Sequence, residues 1–218
     1  MNILGISGSP RRHQTTDRLV QEVLSAVEGE TEFISLAGRK ISPCTACMAC
    51  VKDNTCKIRD DMAELRPKIM EADGLVFGAP NFFSNLNGLS HCFLERFCQF
   101  RHLADGKLLA GKPVAIVSTG TLQPEIPGEI IARTLPYYQM EHVGTVSAQG
   151  AAACFTCGFG ETCTIGAVRG MYGKGVQITP DLIPNLDQQP EACQEARLLG
   201  KKLAERLRQK RAAGPSPA

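Results

Sequence analysis

Cys44, Cys47, Cys50 and Cys56 fall within 13 residues, in the order C-x2-C-x2-C-x5-C. Thiolate is the soft ligand taken by iron in a sulfide cluster. Three thiolates spaced three apart, with a fourth close behind, let one short loop wrap a single cubane. In the ferredoxin run C-x2-C-x2-C-x3-C-P the fourth cysteine serves another cluster. The longer last gap here lets Cys56 close on the same one. Structural zinc usually spreads its ligands over two knuckles roughly a dozen or more residues apart. The spacing therefore favours a [4Fe–4S] cluster, against the alternatives of zinc, free thiols or disulfides.

A second chemical signal lies at the start of the chain. The run Ser7-Gly8-Ser9-Pro10-Arg11-Arg12-His13-Gln14-Thr15-Thr16 separates a first apolar strand from a helical pattern. A tight, hydroxyl-rich turn before a helix N-terminus is a phosphate cradle, because free N–H groups and the helix dipole face the anion. Ser9, Thr15 and Thr16 add hydroxyls and Arg11 a charge. The run is neither a Walker A loop nor G-x-G-x-x-G. The plainer alternative is a polar turn with a Ser/Thr cap. Two further loops, Gly78-Ala79-Pro80-Asn81-Phe82-Phe83-Ser84-Asn85 and Ser118-Thr119-Gly120-Thr121, also end apolar strands and are expected at the same sheet edge.

A third group, Cys154, Cys157 and Cys163, lies among glycines with no fourth ligand nearby. Plain thiols, a metal or second cluster, and a redox disulfide all remain open for it. It is expected not to serve the first cluster within its own subunit, because that cluster already has four ligands in its own loop. Cys92, Cys98 and Cys193 read as core thiols. The four histidines share no motif and read as surface or cap residues. No Ser/His/Asp or paired-carboxylate arrangement stands out, as expected where cofactors carry the chemistry.

The elements that must position these residues follow from periodicity. Strands are expected at Asn2–Ile6, Glu32–Ser35, Gly74–Gly78, Pro113–Ser118 and Val143–Ser147. Helices are expected at Thr15–Val27, Asp60–Glu71 with Asp60 as N-cap, 85–102, near 127–139 and near 189–211. The stretch 149–185 has no period. Alternating strands and helices predict an α/β fold, a parallel sheet with helices on both faces. The 218 residues, 43% hydrophobic, suit one domain with a sizeable core. A net charge of +2 gives no reason for a nucleic-acid partner. No long apolar run marks a membrane span. The N-terminus enters a strand at once rather than reading as a signal peptide. Ten cysteines in such a chain point to metal or redox use in a reducing cytoplasm.

The three loops resemble those of the flavodoxin-like NAD(P)H-dependent FMN reductases, whose first loop reads Gly-Ser-Pro-Arg before a small-residue turn and Thr. Gln14-Thr15 stands here where members often have Gly-Asn. With the cysteine loop after the second strand, the chain is similar to the iron–sulfur flavoprotein family of anaerobic archaea and bacteria. The resemblance implies a flavodoxin-like five-stranded sheet, order 2-1-3-4-5, with the cysteine-rich loop after strand 2. It places Ser7, Ser9, Arg11, Thr15 and Thr16 at the FMN phosphate. Pro80, Asn81, Phe82, Phe83, Ser84, Ser118, Thr119 and Gly120 go to the ring and ribityl chain. It implies one FMN and one [4Fe–4S] cluster per subunit, a homodimer or homotetramer, and exchange of electrons with ferredoxin or NAD(P)H, the acceptor unidentified. Residues 1–211 would form one FMN-binding domain with the cluster loop inserted at 43–57, and 212–218 a disordered tail. The alternatives are an NAD(P)H-dependent FMN or quinone reductase with a structural metal, and a non-enzymatic electron carrier or redox sensor.

Overall fold

The computed structural model describes residues 1–213. Five parallel strands run β1 (Asn2–Ser7), β2 (Glu30–Ser35), β3 (Gly74–Pro80), β4 (Pro113–Gly120) and β5 (Glu141–Gln149), in the order β2-β1-β3-β4-β5. This is the expected flavodoxin-like sheet. Side chains alternate across it, as strand geometry requires. Leu4, Ile6, Leu75, Phe77 and Ile116 enter one core with Met62, Leu65, Phe93 and Phe97. Ile3, Val76, Ala115 and Val117 enter the other with Leu19, Val23, Leu199 and Leu203. The helices supplying these partners are α1 (Thr15–Ser25), α2 (Met62–Glu71), α3 (Gly88–Glu95) and, last in the chain, a helix over Pro190–Ala212. Between α3 and that helix lie α4 (Ile126–Thr134) and a short α5 (Ala167–Tyr172), so the last is α6.

Close packing of α1 depends on missing side chains. A Cβ on Gly5 would lie 2.6 Å from Leu24, and one on Gly78 would lie 2.5 Å from Val20. The first and third strands can therefore carry the helix that opens at the phosphate loop.

The elements depart from expectation in several places. Helix α2 starts at Met62, with Asp61 rather than Asp60 at its N-cap. The helix expected over 85–102 starts only at Gly88, and from Arg96 to Phe100 it tightens into a 3₁₀ turn. Residues 85–87 serve the neighbouring loops instead: Asn85 pairs with Phe82, and Asn87 bonds to Gly8 and Ser90. The tightened turn suits the aromatic stripe, since 3₁₀ winding brings i and i+3 into line. Phe97 and Phe100 meet edge-to-face at 5.3 Å. The helix near 127–139 likewise ends at Thr134 and continues as a 3₁₀ turn to Tyr138. The last helix extends through Ala212, a residue expected in the tail; 214–218 lie outside the described residues. No described helix is long and apolar enough to cross a membrane.

Candidate flavin and cluster sites

The phosphate loop is a set of nested turns at the carboxyl end of β1. Gly8 donates to the Gly78 carbonyl at 2.7 Å and accepts from Asn87 Nδ2 at 2.8 Å. A side chain at Gly8 would put its Cβ 2.0 Å from Ser90 Oγ, so only glycine lets the loop seat here. Ser7 is fully buried, and its hydroxyl accepts the Ser9 N–H. Ser9 Oγ in turn donates to the Arg11 carbonyl and accepts the Arg11 N–H. Helix α1 then opens at Gln14 with no side-chain cap, and Thr15 and Thr16 occupy its first turn. Uncapped N–H groups at a helix N-terminus are where an anion is held. His13 N–H bonds to Asp17 Oδ2, and Arg11 Nη2 reaches the Ala151 carbonyl at 2.6 Å. The residues fit a phosphate monoester.

The other two loops are pinned to this one and to each other. Thr16 and Thr119 share a hydroxyl–hydroxyl bond of 2.7 Å. Asn81 donates its backbone N–H to the Thr119 carbonyl and its Nδ2 to the carbonyls of Leu122 and Gln123. Ser84 Oγ bonds Gln123 Oε1. Ser118 is fully buried, with its hydroxyl donating to the Pro124 carbonyl and accepting the Gly128 N–H. Gly120 accepts the Gly150 N–H. Pro80 is buried at the strand end. Ser7, Ser118 and Thr119 thus shape the loops through bonds within the protein. Ser9, Thr15 and Thr16 are buried too, with the Ser9 and Thr16 hydroxyls bonded to Arg11 and Thr119, while Arg11 and the 82–84 turn are exposed at the open edge.

That turn is strained. Phe83 and Ser84 both adopt left-handed backbone, φ +55° and +56°, between reciprocal bonds linking Phe82 and Asn85. Two such non-glycine residues in succession each carry a cost, and strain of this kind gathers at ligand clamps. The turn leaves the Phe83 ring wholly exposed and Phe82 partly so.

The cysteine loop follows β2. Cys50 is buried, Cys44 and Cys56 are half-buried, and Cys47 is exposed. Among the described residues, no three His, Cys, Asp or Glu side chains already enclose a metal position. The loop is nonetheless held at several points by the segment after α3. Cys44 N–H bonds Glu95 Oε2 and Cys56 N–H bonds Gln99 Oε1, each at 3.1 Å. Asn54, buried, accepts the N–H groups of His102 and Leu103. Ala46, Met48 and Asn54 take left-handed backbone, which turns the chain sharply on both sides of Cys47.

Arg96 lies beneath the loop with 1% of its side chain exposed, bonded through Nη1 to the Ser42 carbonyl and to Asp60. Its Nε is buried without a hydrogen-bond partner. Burial opposes its charge, but Asp60 and the neighbouring Cys56 more than offset that and raise its pKa. A buried cationic Nε–H with no acceptor of its own, set beside Cys56, fits an anionic thiolate group at that position. Burial first and the neighbouring Cys98 second push the Cys50 pKa up; burial and Cys44 push that of Cys98 up. The Cys47 thiol is pulled down by the Ala49 N–H and then by the Thr45 hydroxyl.

One helical segment therefore touches both sites. Asn87 ahead of α3 holds Gly8, while Glu95, Arg96 and Gln99 hold the cysteine loop. The eight residues of α3 span about 12 Å. Sequence reading passed over Arg96 and took Cys98 for a core thiol. The available signal was Arg96 three residues after Phe93, on the inward stripe where a charge has no solvated reason to be. A cavity of about 430 Å³ bordered by Asp73, Gly111, Lys112 and Lys210 lies at the opposite end of the sheet.

Residues 1–125 match the model of the NADPH-dependent FMN reductase family. The chain belongs to that family. Its relatives place it among the iron–sulfur flavoproteins. It is 40% identical over 123 residues to iron-sulfur flavoprotein MJ1083 of Methanocaldococcus jannaschii, a match over 55% of this chain and 62% of that protein. It is 32% identical over 172 residues to an iron-sulfur flavoprotein of Archaeoglobus fulgidus, over 77% of this chain and 86% of that one. The match to the first relative thus spans less than two thirds of its length. Two solved structures share the fold. RosB with a bound riboflavin-5'-phosphate intermediate has a TM-score of 0.69 at 15% identity, over 99% of this chain and 82% of that one. A flavone reductase has a TM-score of 0.60 at 19% identity, over 95% and 63%.

Proposed function

We propose that this protein passes electrons between a [4Fe–4S] cluster held by Cys44, Cys47, Cys50 and Cys56 and an FMN held at the three loops, with NAD(P)H or ferredoxin as donor. The observation that carries the reading is the buried guanidinium of Arg96 beside Cys56, paired through Nη1 with Asp60 and Ser42 but with its Nε unpaired, beneath a four-cysteine loop. When bound, FMN couples one-electron exchange with the cluster to two-electron exchange with a hydride donor.

The residues divide the work. The first turn of α1, with Ser9, Arg11, Thr15 and Thr16, holds the phosphate. Pro80, Asn81, Phe82, Phe83 and Ser84 orient the ring and ribityl chain, with Ser118, Thr119 and Gly120 setting the shape of that edge. Arg96 offsets the negative charge of the thiolates. Asp60, Glu95 and Gln99 fix the loop that presents them. No side chain has to act as a proton-transferring acid or base.

Residues 1–211 act as one FMN-binding domain with the cluster loop inserted at 43–57. A homodimer or homotetramer would bring the cluster at the β2 edge of one subunit toward the flavin of another. Ten cysteines without a disulfide suit a reducing cytoplasm.

The family's NADPH-dependent description also supports a second reading, in which a nicotinamide reduces FMN and the cysteines hold only a structural metal. Anaerobic purification separates the two. Iron, acid-labile sulfide and a broad visible shoulder beneath the flavin bands are expected. Zinc in place of iron would select the second reading.

A further inference from the structure

We infer that Cys154, Cys157 and Cys163 form a second iron–sulfur site, a three-cysteine cluster with one iron left without a protein thiolate. The first observation is a repeated spacing. Cys47-x2-Cys50-x5-Cys56 and Cys154-x2-Cys157-x5-Cys163 have identical gaps, with Ala before the first cysteine and Thr before the last in both. The first copy differs by having Cys44 in addition.

The second observation is where the thiols lie. A cysteine kept merely as a small apolar residue is among the most buried of side chains. Here Cys157 is exposed and Cys154 and Cys163 are only half-buried, and all three are free. Three thiols also cannot all pair as disulfides.

The third is what surrounds the sulfurs. Cys154 Sγ accepts the Ala167 N–H and Cys157 Sγ accepts the Phe159 N–H, each at 3.4 Å, while the Cys157 thiol also donates to the Cys154 carbonyl at 3.5 Å, a proton that loading would remove. Neutral thiol sulfur is a weak acceptor. Backbone N–H groups directed at sulfur stabilise thiolate and cluster charge. The sulfurs of Cys163 and Cys154 both border Gly166, where a Cβ would lie 3.2 and 3.6 Å from them. The two sulfurs therefore share one space kept open by a glycine.

Structural zinc takes four protein ligands, Cys or His. From residue 164 to 192 the chain has neither Cys nor His. The three sulfurs do not yet enclose a metal position, but neither do those of the first motif, so side chains turn inward on loading in both. Loading releases the thiol protons as iron–thiolate bonds form. The segment is also tied to the flavin edge of the sheet, since Arg11 bonds the Ala151 carbonyl and Thr121 the Gly150 carbonyl.

The test compares wild type, C47S/C50S/C56S and C154S/C157S/C163S, each loaded anaerobically with equal ferric and ferrous iron and with sulfide. Iron, zinc and FMN are measured per chain. Each triple variant should keep roughly half the wild-type iron, about one cluster's worth, with FMN content unchanged. Should the second triple variant fail to hold FMN, Cys157→Ser at its exposed position serves instead, and must also lower iron. Unchanged iron in the second variant, or zinc there in wild type, overturns the inference. Unchanged iron in the first variant overturns the cluster assignment in the proposed function, independently of this one.

Discussion

Arg96 donates through Nη1 to Asp60 at 2.5 Å, with the two side chains 1% and 4% exposed. The pair closes the cysteine loop at both ends. Ser42, just before the first cysteine, gives its carbonyl to Arg96 and its N–H to Asp60 Oδ2. Asp60, just after the last, also accepts the Met62 N–H that opens α2. One guanidinium–carboxylate clasp thus sets the mouth of the loop.

Removing one partner should be costly. Arg96→Met leaves a buried carboxylate unpaired, an expected loss of about 3–5 kcal/mol. Denaturant unfolding of the apo protein measures it. Adding Asp60→Leu should recover much of the loss, because the second change removes the stranded charge. A double variant less stable than Arg96→Met would refute the pairing argument.

The same clasp gives a pH dependence. Burial raises the Asp60 pKa, but the Arg96 bond and the N–H groups of Ser42 and Met62 more than offset it, so the folded value is lowered. A lowered folded value means the carboxylate's contribution is present above the unfolded value, about 3.9. It is lost as pH falls through the folded value. Acid unfolding should therefore steepen below that range in wild type and less so in Asp60→Asn. Parallel acid transitions in the two proteins would refute this.

Cys47→Ser should remove or cripple the first cluster while FMN stays bound, because the cysteine loop and the flavin loops are separate segments. Iron and flavin assayed on one sample decide it. Full iron retention in this variant and in those at Cys44, Cys50 and Cys56 would contradict the ligand set.

How much of this was legible beforehand differs by element. The sheet order followed from alternating apolar runs, and β3 and β4 read clearly because both faces are buried. The four-cysteine loop and the phosphate loop were visible as spacing. Arg96 was not, because its role depends on Asp60, 36 residues earlier in the chain. The break at residue 96 was hidden for a related reason: the Phe93, Phe97, Phe100 stripe suits either helical winding. The hydroxyls of Ser7, Ser9 and Ser118 read in sequence as free for a cofactor, and only the structure shows them buried and bonded within the protein.

Replacing Arg11 and Thr16 together should weaken FMN by about 2–4 kcal/mol, at about 1.5–3 for a charge-assisted contact and less for a neutral one. Riboflavin, lacking the phosphate, should scarcely change. Equal losses for both ligands would show the phosphate lies elsewhere.

Phe83→Gly should separate stability from binding. Relief of left-handed strain, about 1–2 kcal/mol, offsets the added chain entropy of glycine, about 0.5–1, so apo stability should stay within about 1 kcal/mol. FMN should bind up to about tenfold more weakly if an aromatic contact of about 0.5–1.5 kcal/mol is lost. Unchanged FMN affinity would remove Phe83 from the ring site.

The most direct test of the central claim is electron paramagnetic resonance with flavin absorbance on one anaerobic sample during stepwise reduction. In wild type, a reduced-cluster signal should grow as the flavin bleaches, whether electrons enter from NADPH or from reduced ferredoxin. In the C44S/C47S/C50S/C56S variant the flavin should bleach with no signal from that cluster. A wild-type sample that holds FMN and bleaches fully, yet contains no iron or an iron signal unaffected by flavin reduction, would contradict the account.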